Sequence, residues 1–255
     1  MTVITLASAK GGVGKTTAAV GFAHLAAEEG GRVLLWDLDP QAAATHVLRI
    51  GRRAPGGARR LIGRRRAIED AIVTSNVEGV DVVPADFSLR YLDLELERVG
   101  RPRRRIRRAV QVVSDRYDYV VLDCPPGIGL TVESALCATD VLVIPIVPTV
   151  LPRRGYELLT AYVVAEKRLK RTKVYGFVSM LDGHKPEQRT VAEELVSSDN
   201  DILRPSIPLS VAAERMVIAR APVTLTEPHS PAAVAYRALW ADLGARIATD
   251  DSAAG

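Results

Sequence analysis

The stretch Val3-Ile4-Thr5-Leu6-Ala7-Ser8-Ala9-Lys10-Gly11-Gly12-Val13-Gly14-Lys15-Thr16-Thr17 decides how the rest of the chain is read. Its apolar opening has the pattern of a strand, and the glycines after it permit left-handed backbone and close approach to a ligand. Beyond Thr17, the run from Ala18 to Glu28 has the composition and spacing of a helix. A strand, a glycine-rich turn and Lys-Thr opening a helix make a cradle for phosphate. Loop N–H groups and the helix N-terminus face the phosphate oxygens, the lysine neutralises them, and the hydroxyl ligates magnesium. The general pattern G-x-x-x-x-G-K-[ST] wants glycine where Ala9 stands, and a second lysine, Lys10, sits at the loop entrance. A lone lysine is ordinarily a solvated surface cation. A nucleotide loop with a lysine at each end gives Lys10 a second reading.

Working outward, the 255 residues suit one large α/β domain with a full core. It is expected to span residues 1–248, followed by a short disordered tail at 249–255. Cys124 and Cys137 offer no disulfide framework and fit a reducing cytosol. No charged-then-apolar leader opens the chain. The longest apolar run, Val141 to Leu151, is broken by Pro145 and Pro148 and is too short to span a bilayer. These features predict a soluble cytoplasmic protein. The formal charge is +4, with arginines concentrated at 49–66 and 98–108. Such clusters suit contact with a polyanion or a solvated face, and both readings stand.

Along the chain, Arg32 to Trp36 reads as a second strand leading to Asp37-Leu38-Asp39-Pro40-Gln41. Two carboxylates and a glutamine then sit at its C-terminal edge, where doubly wound sheets bind ligands. A short helix over about 66–73 and a strand over 79–84 come next. Ser88 is the expected N-cap of the helix carrying Leu89, Leu92, Leu94 and Leu96. Arg101-Pro102 breaks that helix, and a new one over 103–115 puts Ile106, Val110 and Val113 on one face and arginines on the other. Tyr117 to Asp123 is a buried strand ending in aspartate before Cys124-Pro125-Pro126-Gly127-Ile128-Gly129; beside a phosphate loop, Asp123 reads as the carboxylate that supports magnesium. Strands at 140–144, 173–181 and 202–207 alternate with helices at 152–169, 187–197, from 210, and over 231–248. The alternation predicts an α/β fold, a doubly wound, mostly parallel sheet with helices on both faces.

Lys10 to Thr17 resembles the deviant Walker A motif of the ParA/MinD family of P-loop ATPases. Asp37 to Gln41 is similar to that family's D-x-D-P-Q segment, and Tyr117 to Gly129 to its Walker B and switch II. Ile207-Pro208, Glu227-Pro228 and Ala235 to Leu239 are similar to the C-terminal part of partition-type members without an N-terminal DNA-binding domain. The resemblance implies ATP and Mg²⁺ as cofactors and a weak, partner-stimulated ATPase. By it, Gly11, Gly12, Val13, Gly14, Lys15, Thr16 and Thr17 wrap the phosphates, Thr16, Asp39 and Asp123 serve the metal, and Gly127 senses the γ-phosphate. Lys15 acts on its own subunit's nucleotide, Lys10 reaches the partner subunit's, and Asp39 positions the attacking water. Met180, Asp182 and Pro208 fall where the family builds its adenine pocket.

The implied partners are a second copy of the chain with ATP, non-specific double-stranded DNA, and a ParB-type adaptor, with the protein on the nucleoid and no stable membrane association. The implied task is plasmid or chromosome partition; positioning another cargo, a protein compartment or a chemoreceptor array, would use the same site. A MinD-like membrane switch needs a basic amphipathic C-terminal helix, and Ala248 to Gly255 is small and acidic. An iron–sulfur ATPase needs cluster cysteines, and an apolar setting for Cys137 favours a structural thiol. DNA contacts are assigned to Arg204, Arg215, Arg220 and Arg237. Family members commonly carry Ile-Pro-Arg-Asn-x-Arg where this chain has Ile207-Pro208-Leu209-Ser210-Val211-Ala212, so two expected arginines are missing.

Overall fold

The computed structural model describes residues 1–51, 57–63, 67–149, 154–166 and 169–253. Strand β1 (Thr2–Leu6) runs into helix α1 (Lys15–Glu28), then β2 (Val33–Asp37) and α2 (Ala43–Val47). A peripheral group comes next: α3 (Gly57–Gly63), α4 (Ala67–Ala71), β3 (Val73–Thr74), β4 (Val80–Val83), α5 (Leu92–Glu97) and α6 (Arg105–Val112). The chain returns through β5 (Tyr119–Asp123), α7 (Leu130–Leu136), β6 (Val141–Ile146), α8 (Arg154–Ala165), β7 (Lys173–Val178) and α9 (Pro186–Ser198). It closes with β8 (Ile202–Leu203), α10 (Val211–Ala219), α11 (Val223–Thr226) and α12 (Pro231–Ala253).

The strands form one sheet in the order β3-β4-β2-β5-β1-β6-β7-β8, parallel throughout except for the β3–β4 edge pair. Strand alternation sorts the core into two layers. Val3, Leu34, Trp36, Val120, Leu122 and Leu142 face one cluster, while their neighbours Ile4, Val33, Leu35, Val121, Val141 and Val143 face the other. Both faces of each central strand are therefore apolar, as expected of a sheet covered on both sides. The chain moves from β1 to β2 on one side and from β5 through β6 to β7 on the other. The carboxyl ends of β1, β2 and β5 thus flank the point where the winding changes direction, the usual ligand crevice.

Helix α1 is buried nearly all round, from Ala18 to Ala26, because α11 and α12 cover the side turned away from the sheet. The Tyr236 ring packs on it at Gly21, where a β-carbon would meet the ring at 3.8 Å, an ordinary van der Waals contact. Tyr236, Leu239, Trp240 and Leu243 are buried along α12, with Ile247 partly so, as the spacing predicts.

Several boundaries differ from the sequence reading. Strand β6 continues through Pro145 to Ile146; β1 pairs only with Val141 to Val143, so the missing N–H at Pro145 costs no bond on that side. The helical turn at Phe87–Tyr91 is capped by Asp86, whose carboxylate accepts from Ser88 N at 2.7 Å, so Ser88 is not the N-cap. The helix expected over 103–115 is the turn Pro102–Arg104 followed by α6, which ends at Val112. Helix α12 runs through to Ala253, so the tail expected to be disordered from 249 is helical for five further residues; no glycine or proline occurs from Ala245 to Ala254 to stop it. The expected start of the helix at Pro152 lies outside the described residues.

Candidate nucleotide site

The loop between β1 and α1 is held from three sides. Gly12 and Gly14 have φ of 70° and 93°, in the region that favours glycine. A β-carbon on Gly14 would sit 2.8 Å from Ser179 Oγ, and that hydroxyl donates to Val13 O at 2.9 Å. The end of β7 thus buttresses the loop through Ser179, a residue whose role no local pattern announces. Gly14 also occupies the N-cap of α1 without a side-chain acceptor. The first-turn N–H groups of α1 therefore lack the usual capping partner and are available to an anion.

Lys15 is 5% exposed. Its ammonium donates to Ser8 Oγ at 3.1 Å and to Lys10 O at 3.4 Å, while Ser8 Oγ donates to Lys10 O at 2.6 Å. Burial pulls its pKa below the ordinary lysine value, and Asp123 and Asp39 oppose that shift. Lys10 differs: the residue is exposed, and its ammonium has no hydrogen bond or ion pair among the described residues. Lys10 therefore shapes the loop with its carbonyl and leaves its charge outside.

Opposite the loop stand the strand-end carboxylates. Asp37 and Asp123 are register partners on β2 and β5, and both are fully buried. Asp37 accepts from Thr45 N at 2.9 Å, Thr45 Oγ1 at 2.7 Å and Asp39 N at 3.1 Å. Desolvation outweighs those bonds and pushes its pKa up to about 6. Asp37 thereby sets the backbone of Asp39, whose own carboxylate accepts from Gln41 N at 2.9 Å. Asp123 is different: neither carboxylate oxygen has a hydrogen-bond partner among the described residues. Burial, and then the charge of Asp37, push its pKa well above the ordinary range; Thr16 and Lys15 pull it back.

A buried carboxylate without a donor is costly, and this one stands beside the Thr16 hydroxyl and the Lys15 ammonium. Those are the groups that would accommodate a magnesium ion shared with phosphate oxygens, since magnesium keeps several waters and takes few protein ligands. Among the described residues no group of three or more His, Cys, Asp or Glu side chains forms a metal cage. Cys124 is buried next to Asp123, and burial pushes its thiol up, out of reactive range.

The loop and Asp39 open into a cleft of about 630 Å³, which the fully buried Asp37 and Asp123 do not line. Of the residues expected at the site, Gly11 through Thr17, Asp39, Met180 and Pro208 line it. Lys10, Asp123, Gly127 and Asp182 do not. Gly127, with φ of 98°, donates its N–H to Ser8 O at 3.0 Å and so ties the loop after β5 to the phosphate loop. Asp182 is turned toward α9: its N–H bonds Gln188 Oε1, its carboxylate accepts from His184 N, and it pairs with Lys185. Sequence reasoning missed Pro125, Pro126, Leu209, Glu214 and Tyr236 on the cleft wall. The spacing along α12 marks Tyr236 only as a core residue.

The arginines assigned to DNA are not equivalent. Arg237 forms an ion pair with Glu28 and also donates to Thr224 O. Arg220 Nε donates to His46 O at 3.1 Å, closing the end of α2. Arg204 and Arg215 are exposed, with no guanidinium partner among the described residues. In the basic stretch at 49–66, Arg49 donates to Ala219 O and Arg220 O, and Arg60 pairs with Asp70; residues 52–56 and 64–66 lie outside the described residues.

Residues 1–174 match a protein-family model described as an AAA domain. The sporulation initiation inhibitor protein Soj of Bacillus subtilis is 32% identical over 248 residues, covering 95% of this chain and 98% of Soj. The chromosome partitioning protein ParA of Caulobacter vibrioides is 37% identical over 148 residues, 56% of this chain and 55% of that protein. Among solved structures, cobyrinic acid a,c-diamide synthase from Mycobacterium smegmatis, with bound ATP analog and magnesium, superposes with a TM-score of 0.74 at 26% identity, over 93% of this chain and 91% of the other.

Proposed function

The chain belongs to the ParA/MinD family of P-loop ATPases, and on that premise we propose that it is a ParA-like ATP-dependent switch that dimerises around its nucleotide, binds DNA without sequence preference and drives partition of a plasmid or chromosome with a ParB-type adaptor. The observation that carries this reading is the division of labour between the two lysines. Lys15 is buried against Ser8 and Lys10 O, committed to its own cleft, while the Lys10 ammonium lies outside it without a partner among the described residues. A cation held at the rim in this way suits a nucleotide in a second subunit.

Magnesium-bound ATP supplies the transferable phosphoryl group and the charge that the buried site neutralises. The chain's own contributions follow from the geometry. First-turn N–H groups of α1 and the glycine loop hold phosphate oxygens, Lys15 offsets their charge, and Thr16 with Asp123 orients the metal. Asp39, fixed through its N–H by Asp37, stands on the cleft wall to hold a water in line. Because Lys10 belongs to the partner's site, hydrolysis by a single subunit is slow, and a state that depends on the γ-phosphate is timed rather than rapidly cycled.

Steady-state ATP hydrolysis in the presence of random duplex DNA tests the enzymatic part. Asp39→Ala is expected to keep nucleotide binding and lower turnover about 100-fold or more, the usual contribution of a positioned acid–base group. Turnover unchanged by the substitution would remove Asp39 from the catalytic role, and a wild-type chain without turnover would be a nucleotide-gated scaffold instead of a working ATPase.

A further inference from the structure

Seven arginines fall between Arg98 and Arg108, and no acidic residue occurs from Arg98 through Ser114. Three of them are engaged: Arg98 pairs with Glu95, Arg103 with Glu133, and Arg105 donates to Gly100 O and Ile62 O. The other four, Arg101, Arg104, Arg107 and Arg108, are exposed, and their guanidinium groups have no hydrogen bond or ion pair among the described residues. Ile106, Ala109 and Val110 anchor α6 in the core. That leaves Arg104, Arg107 and Arg108 on the outward face, at helical spacings of three and four.

Fold stability does not account for this stripe. Like charges three and four apart weaken a helix, and cations in a first turn oppose its dipole. We propose that the ridge made by Arg101 to Arg104 and the outward face of α6 is the main contact surface of this chain for the phosphate backbone of duplex DNA. The proposal rests on the reading of the chain as a DNA-binding ATPase and relocates its contact away from the C-terminal arginines, two of which are occupied within the fold.

The chemistry of the ridge selects this partner. No large apolar side chain between residues 98 and 116 is exposed, so nothing there would insert into a membrane. The same segment contains no aromatic residue on which unpaired bases could stack. What remains is a row of cations running from Arg101 through the Pro102–Arg104 turn into the first turn of α6, suited to the closely spaced phosphates of a duplex. The ridge is also joined to the nucleotide site by contiguous contacts. Ser134 Oγ donates to Pro102 O at 3.1 Å and accepts from Ile106 N at 3.3 Å, and Glu133 holds Arg103. Both residues belong to α7, which begins directly after the loop that Gly127 ties to Ser8.

The test is equilibrium binding of the full chain, with ATP and magnesium, to a labelled random duplex between 50 and 200 mM salt. The triple variant Arg104→Ala, Arg107→Ala, Arg108→Ala is expected to bind more than about 10-fold more weakly at 100 mM salt, with a log–log salt slope shallower by about 2 to 3. The corresponding lysine triple should restore the slope, and all variants should keep wild-type nucleotide affinity. Arg204→Ala, Arg215→Ala is expected to stay within about twofold of wild type. If the C-terminal pair abolishes binding while the ridge triple binds normally, the ridge is overturned and the DNA-binding reading stands. If the wild-type protein does not bind duplex at all, or binds only phosphatidylglycerol vesicles, the DNA-binding reading fails and the ridge with it.

Discussion

Asp123 is the most telling single residue. It is fully buried, accepts no hydrogen bond among the described residues, and lies beside a second buried carboxylate on the neighbouring strand. A site built for the apoprotein alone would not keep it. Folding raises its pKa, so above its unfolded value the folded state holds more protons than the unfolded state, and stability falls as pH rises through that window. Asp123→Asn removes that loss and keeps an acceptor oxygen for the Thr16 hydroxyl. It is expected to raise the unfolding free energy of nucleotide-free protein by about 1–2 kcal/mol at pH 7, with a smaller gain near pH 4, while abolishing magnesium-dependent hydrolysis. Urea titrations at the two pH values, in the absence of nucleotide, check this; a variant less stable than wild type at pH 7 would show that the carboxylate has an internal partner.

At the scale of elements, the parts nearest the loop were legible because their signals are local. The β1–α1 turn, the D-x-D-P-Q strand end and the aspartate closing β5 each combine strand periodicity with a polar terminus; the first two line the cleft, and Asp123 is buried beside Thr16 and Lys15. What sequence could not supply is contact between distant segments. Ser179 supporting Val13, Thr45 holding Asp37, and Tyr236 reaching the cleft from α12 all depend on tertiary packing. The join between α5 and α7 is another such contact: Asp93 accepts from both the N–H and the hydroxyl of Thr131 at 2.8 and 2.5 Å. Asp93→Ala is expected to cost about 2 kcal/mol, or roughly 4–8 °C in Tm for a chain of this length. Thermal unfolding checks it, and an unchanged Tm would mean that this bond is replaced by water without loss.

For the whole molecule, fold class followed from the alternation of apolar strands and helices, and the sheet order places the three strand ends that carry the site side by side. The charge distribution was less readable. A run of arginines looks the same in sequence whether its members cap helices, pair with glutamate or face solvent, and this chain uses arginines in all three ways. The central claim is that Lys10 makes the nucleotide site a site between two copies. Light-scattering mass measurement with magnesium and a non-hydrolysable ATP analog tests it directly. The wild-type chain is expected to pass from one copy of 27.5 kDa to two, and Lys10→Ala to remain at one copy with nucleotide affinity within about threefold of wild type. A Lys10→Ala protein that doubles its mass as the wild type does would contradict the claim.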